Sequence, residues 1–144
     1  MFAIIAQLIA LSTGATLQPF ATDPSGFVLW PKGIPAGGPN SKAPFPNHTL
    51  SVSHRDKDGL VEVHEKFADV IVVQSGTATL IVGGELIGPE STEPGEIRGK
   101  QIRGGIKRTI SPGDVIHIAA RTPHQFLVAP DAQITYILVK IMTQ

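Results

Sequence analysis

Side chains alternate between two classes from His48 onward: His48, Leu50, Val52 and His54 stand between Thr49, Ser51 and Ser53. A period of two puts each set on one face of a β-strand, and the set with Leu50 and Val52 is expected to be the buried one. Asp56-Lys57-Asp58-Gly59 is a turn by composition. Strands are predicted over 60–66 and 68–74, then a tight turn at Ser75-Gly76 and a hairpin partner over 77–82 that ends in Gly83-Gly84. Further strands are predicted over 107–110, 115–119, 124–128 and 134–142, separated by Ser111-Pro112-Gly113-Asp114, Arg121-Thr122-Pro123 and Pro130-Asp131. Between them, 85–105 is a polar excursion rich in Gly and Pro, expected to be a rim loop that shapes a mouth. No helical period and no solenoid repeat is present. Short antiparallel strands at this turn spacing predict an all-β domain, a closed antiparallel β-barrel or jelly roll.

The text before residue 47 is different. Pro, Gly and Ser dominate 18–46, no period survives, and an irregular arm anchored by Phe27, Leu29 and Trp30 is expected there. The apolar run 2–11 is followed by the small residues Ser12-Thr13-Gly14-Ala15. Ten residues are too few to span a bilayer, which takes about twenty, so no membrane span is expected. Segment 1–17 reads as the core of an export signal, although no Lys or Arg precedes it, or as a segment packed on the body. The first reading places the mature chain in the periplasm or outside the cell, the second in the cytoplasm. The chain is thus divided into 1–17, the arm 18–46 and a barrel over 47–144.

Composition narrows the partners. A formal net charge of zero with 17% charged residues gives no electrostatic basis for a nucleic-acid partner or an anionic membrane. The basic cluster Arg98, Lys100, Arg103, Lys107 and Arg108 is interleaved with glycines and is expected in a solvated loop. The absence of cysteine excludes disulfides, thiolate zinc sites and cysteine nucleophiles.

Candidate chemistry lies in 59–76. Glu62 and His64 are two apart in a strand and share a face, about 6.5 to 7 Å apart at the backbone. They can aim at one ion, or stand exposed between buried Val61 and Val63. Asp69 follows after a short break, Glu65 is expected to be solvated, and a second imidazole, His124, lies far along the chain. His48 and His54 either line the interior near such a site or are satisfied by backbone groups. His117, sharing a strand face with Val115, is a candidate accessory acid or base. Apolar residues fill both faces of 70–73 and 137–141, so one face fills the barrel and the other needs cover from the arm or a second subunit.

The run from Gly59 to Gly76 resembles the first motif of the cupin superfamily: Glu62-Val63-His64 stands for its His-x-His pair, four residues lead to Asp69, and six more to Gly76. Residues 113–124, ending in Ala119-Ala120-Arg121-Thr122-Pro123-His124, resemble the second motif, with Ala119 and Arg121 where the family has Pro and Gly. The resemblance covers about two thirds of the chain. It implies a cupin-type antiparallel β-barrel (double-stranded β-helix, or jelly roll), a homodimer, and a divalent metal held by Glu62, His64, Asp69 and His124. Mixed carboxylate and imidazole ligands suit Mn, Fe or Zn with open coordination positions. It further implies a metal-dependent enzyme acting on a small organic molecule by oxygenase, isomerase or lyase chemistry, or a non-catalytic protein that binds a metal or small molecule.

Overall fold

The structure, a computed structural model, describes residues 28–30, 33–34 and 42–144. The chain divides into two units, 1–30 and 31–144. The expectations for 1–17 and for most of 18–46 lie outside the described residues; Leu29, expected to anchor the arm, is exposed.

Thirteen strands and no helix occur among the described residues: β1 Lys42–Pro44, β2 His48–Arg55, β3 Val61–His64, β4 Phe67–Gly76, β5 Ala78–Val82, β6 Glu85–Ile87, β7 Glu90–Glu93, β8 Glu96–Gly99, β9 Gln101–Arg103, β10 Ile106–Ile110, β11 Val115–Ile118, β12 His124–Leu127 and β13 Ile134–Met142. All pairings are antiparallel. One sheet has the order β1-β2-β13-β4-β11, the second β10-β5-β12-β3-β8-β7, and β6 and β9 form a separate ribbon. The crossed strand order of the two sheets is the double-stranded β-helix of a cupin-type jelly roll. Among the described residues, regular structure starts at Lys42, five residues before the expected boundary, because β1 adds an edge to β2.

Ile71 and Val73 of β4, Ile134 and Tyr136 of β13 and Ile118 of β11 face Ala78 and Leu80 of β5 and Phe126 of β12. Each aliphatic side chain buried there contributes about 1.5–3 kcal/mol. The Phe126 and Tyr136 rings stack with centroids 4.9 Å apart. His124 and Phe126 project to the same side of β12, both buried, so this strand carries the interior from a polar layer into the apolar one.

Two expectations are corrected by register. Ile134 pairs with Arg55 and Tyr136 with Ser53, so the interior face of β2 carries Ser51, Ser53 and Arg55. His48, Leu50, Val52 and His54 take the other face, where Val52 is buried as expected; His54 is exposed beside the Thr135 hydroxyl, and His48 stacks on Phe45. The interior accepts Arg55 because Tyr136 takes its Nε hydrogen bond at 2.9 Å and the Phe126 ring lies under its guanidinium. The excursion 85–105 is also not a loop. Its β6–β9 ribbon brings Leu86 and Ile102 onto Val61 and Ile81, burying the outer face of the second sheet, and β8 extends that sheet beside β3. Both faces of β3 are therefore covered.

Candidate metal centre

The β-ladders set the site. Glu62 on β3 is the register partner of His124 on β12, so their side chains share the interior face as close cross-strand neighbours. His64 lies two residues along β3 on the same face. Asp69 looks across from β4 in the opposite sheet, between Ile118 and Lys140 on its flanking strands. His64, Asp69 and His124 are each 3% exposed.

Glu62, His64 and His124 each offer a donor atom within 4.8 Å of the others, and Asp69 Oδ2 approaches both imidazoles. His64 Nε2 is 3.4 Å from both Glu62 Oε2 and Asp69 Oδ2, and His124 Nε2 is 3.6 Å from Asp69 Oδ2 and 4.0 Å from Glu62 Oε2. A cation about 2.1 Å from each of two ligands at a tetrahedral angle separates them by about 3.4 Å, and wider angles give more. The spacings fit one ion. Asp69 Oδ1, the other oxygen of that carboxylate, is buried and has no hydrogen-bond partner, a cost that a cation reaching both oxygens would remove.

The imidazoles are turned for this arrangement. His64 Nδ1 lies 2.6 Å from Glu96 Oε2, and His124 Nδ1 lies 3.0 Å from the Thr122 carbonyl oxygen. Both partners accept, so each Nδ1 carries hydrogen and donates, leaving both Nε2 atoms directed at the carboxylates. Lys140 Nζ is 3.0 Å from both ring nitrogens of His64, an equidistance that places it over the ring rather than in line with either nitrogen. Arg98 Nη1 is 3.7 Å and Arg55 Nη2 3.9 Å from the Glu62 carboxylate.

Without a cation, a proton takes its role. Burial pushes the Glu62 carboxyl up, but the His64 hydrogen bond and the charges of Arg98, His124 and His64 outweigh it and bring the pKa down to about 2. Burial pushes His64 down, but hydrogen bonds to Asp69 and Glu62 outweigh it and raise it to about 9, with the Lys140 ammonium opposing. Burial lowers His124 below its ordinary value.

Of the four residues expected as ligands, Glu62, His64 and His124 form one group from two strands, and Asp69 reaches both imidazoles from a third. His117 is not part of it. Ile116 and Ile118 face inward, so His117 is exposed on the outer face of β11, away from the cluster, and the expectation of an accessory acid or base there is withdrawn. Glu65 is exposed as expected. Arg98, expected in a solvated loop, is half-buried beside Glu62, whereas Lys100, Arg103, Lys107 and Arg108 are exposed. Glu96, Arg98, Arg55 and Lys140 were not indicated by the motifs; of these only Lys140, the single charge in an apolar strand, carried a signal.

No family model matches the chain, and no curated protein matches it significantly. Among solved structures, the chain is similar to a cupin protein from Bacteroides fragilis (15% identity, 69% of each chain covered, TM-score 0.45). It is similar to the DMSP lyase of Ruegeria pomeroyi (12% identity, 66% of this chain and 38% of that one, TM-score 0.47). A third is a sugar phosphate isomerase from a cupin superfamily in Silicibacter pomeroyi (19% identity, 67% and 52%, TM-score 0.45). The chain spans about half or less of the length of the latter two.

Proposed function

We propose that this chain binds one divalent metal ion through Glu62, His64, Asp69 and His124 and is an enzyme acting on a small organic molecule. The observation that carries the proposal is the grouping of Glu62, His64 and His124 donor atoms, with Asp69 Oδ2 facing both imidazoles from the other sheet and with Glu96 and the Thr122 carbonyl turning both Nε2 atoms toward the carboxylates. Carboxylate oxygens mixed with imidazoles suit Mn, Fe or Zn.

When bound, the ion supplies a Lewis acid for a substrate oxygen or an open position for a small molecule. The chain's own residues do the rest. Glu96 and Lys140 fix the His64 ring from its edge and its face. The His64 hydrogen bond and the Arg98 charge hold Glu62 ionised, so Glu62 serves as an anchor and a weak base rather than as a proton donor near neutral pH. The stacked Phe126 and Tyr136 rings and the aliphatic layer around them keep water from the core side. Glu62 is the most open of the four, with 21% of its side chain exposed against 3–4% for the others, so a ligand approaches over it.

The test is elemental analysis of the purified protein beside His64→Ala, Asp69→Ala and His124→Ala. About one ion per chain, lost in all three variants, is expected; a folded wild type that never retains Mn, Fe, Zn, Ni or Cu overturns the site. A substrate screen under air and under nitrogen follows. Turnover only in air selects oxygenase chemistry, and turnover in both selects isomerase or lyase chemistry. Retained metal without turnover leaves a binding protein.

A further inference from the structure

Against the His64 side of the centre lies a pocket of about 280 Å3, just below the roughly 300–1,000 Å3 spanned by ligand sites. None of the four donor residues lines it; Lys140 and Glu96, which touch His64, form the shared wall. It sits at one end of the barrel, where β2 begins and β13 ends: Thr49 and Lys140 are register partners, and Phe67 starts β4.

Its polar groups are unevenly matched. Three cations, Lys42, Arg98 and Lys140, face two carboxylates, Glu93 and Glu96. Glu96 is already spent, one oxygen accepting from His64 at 2.6 Å and the other 3.5 Å from Lys140. Lys42 has no ion-pair partner among the described residues, and Arg98 Nη1 is buried with no hydrogen bond, its nearest carboxylate oxygens 3.6 and 3.7 Å away. Phe67 gives the pocket an apolar wall, with Lys140 Nζ 5.9 Å from its ring centroid.

The geometry points to a binding site for a small organic anion: a carboxylate or phosphate held by Lys42, Arg98 and Lys140, carried on a short apolar or aromatic body that lies on Phe67. Charge-assisted hydrogen bonds from guanidinium and ammonium suit either oxyanion, and Lys42, with no ion-pair partner among the described residues, and the excess of cations over carboxylates supply the gain on binding. None of the four donors lines the site, although Lys140 and Arg98 also border His64 and Glu62, and anion binding does not depend on a metal being bound.

Calorimetric titration of the full chain, stripped of metal and in low salt, tests this with benzoate, phenyl phosphate and neutral benzamide. Saturable binding of one benzoate or phenyl phosphate per chain is expected, with benzamide weaker by about tenfold or more. The better of the two anions identifies the oxyanion. Lys140→Met and Lys42→Met should each weaken the anion severalfold, and Arg103→Met, at an exposed arginine paired with Glu85, should not. Lys42 lies on an edge strand, so its variant reports even if replacement of Lys140 disturbs the barrel. His124→Ala, which removes a metal donor, should keep its anion affinity, so failure of the metal reading leaves this result standing. No saturable anion binding, benzamide as tight as benzoate, or equal loss in the Arg103 variant overturns the site.

Discussion

His64 and Glu96 are register partners on neighbouring strands, and their side chains meet at 2.6 Å between Nδ1 and Oε2. The next interior pair on the same ladder is Glu62 with Arg98. Each proposed ligand on β3 therefore faces an oppositely polarised partner on β8, and both contacts follow from one register. Slipping that register by one residue would turn Glu96 and Arg98 away from the interior. The segment 85–105 therefore orients the centre as well as bordering it.

Replacing Glu96 by Gln keeps an acceptor within reach of Nδ1 but removes its charge, and lets the amide present its NH2 group instead. The His64 ring is then less firmly held and its Nε2 less basic. Metal affinity, measured by competition with a chelator, is expected to fall about 10–100-fold while the fold is retained. Unchanged affinity would show that Glu96 does not support the ligand.

Protonation of the metal-free protein sets a pH window. His64 is raised from 6.5 to about 9, so the stability it contributes is full below about pH 6.5 and is lost as pH rises toward 9. Glu62 is lowered from 4.5 to about 2, so its contribution is full above about pH 4.5 and is lost as pH falls toward 2. The melting temperature of chelator-treated protein should peak between these limits, and its advantage over His64→Gln should shrink from pH 6 to pH 9. A cation must displace the His64 proton, so metal affinity should climb by about tenfold per pH unit as pH 9 is approached from below. A stability gap independent of pH would remove His64 from this role.

The strand pattern was legible because alternation is a local property, and the grouping of Glu62 and His64 with the distant His124 was implied only by the resemblance of the two motifs. What was not legible depended on which face turns inward. In Val115-Ile116-His117-Ile118 both faces carry apolar residues, so alternation does not fix the inward side; the pairing of Ile118 with Asp69 does. On β2 the interior face is the polar one, because Tyr136 and Phe126 from elsewhere in the chain receive Arg55. Glu96 lies in a polar stretch with no period strong enough to mark it as a strand. At Arg121, where the resembling motif has glycine, the backbone has φ 65°, the left-handed region that glycine adopts freely. The local geometry tolerates a side chain there because Arg121 is exposed while its N–H donates to the His64 carbonyl at 2.8 Å.

The outer position of His117 gives a contrast with Asp69. His117→Ala should leave metal content and any turnover unchanged, with stability altered by no more than about 0.5 kcal/mol. Asp69→Asn keeps the size of a buried side chain but substitutes an amide for the carboxylate whose Oδ1 is unpartnered. It should abolish stoichiometric metal. Loss of metal in the His117 variant would contradict the placement of that residue.

Gly76 ties a motif position to a physical demand. It ends β4 at φ +74°, and a Cβ there would fall 1.9 Å from the Gln133 carbonyl oxygen and 2.7 Å from its carbon. That oxygen already accepts the Thr77 N–H at 3.0 Å, and Ile134, the register partner of Gly76, is fully buried, so neither chain can withdraw cheaply. Gly83 has a similar φ of +77° but nothing within 4 Å of a built Cβ. Gly83→Ala therefore incurs only the left-handed backbone cost, about 1–2 kcal/mol. Gly76→Ala adds the collision and should cost about 3 kcal/mol or more. Urea midpoints at unchanged slope measure both. Equal losses at the two glycines would mean that the chain between β12 and β13 yields, and that the close approach at Gly76 does not constrain the barrel.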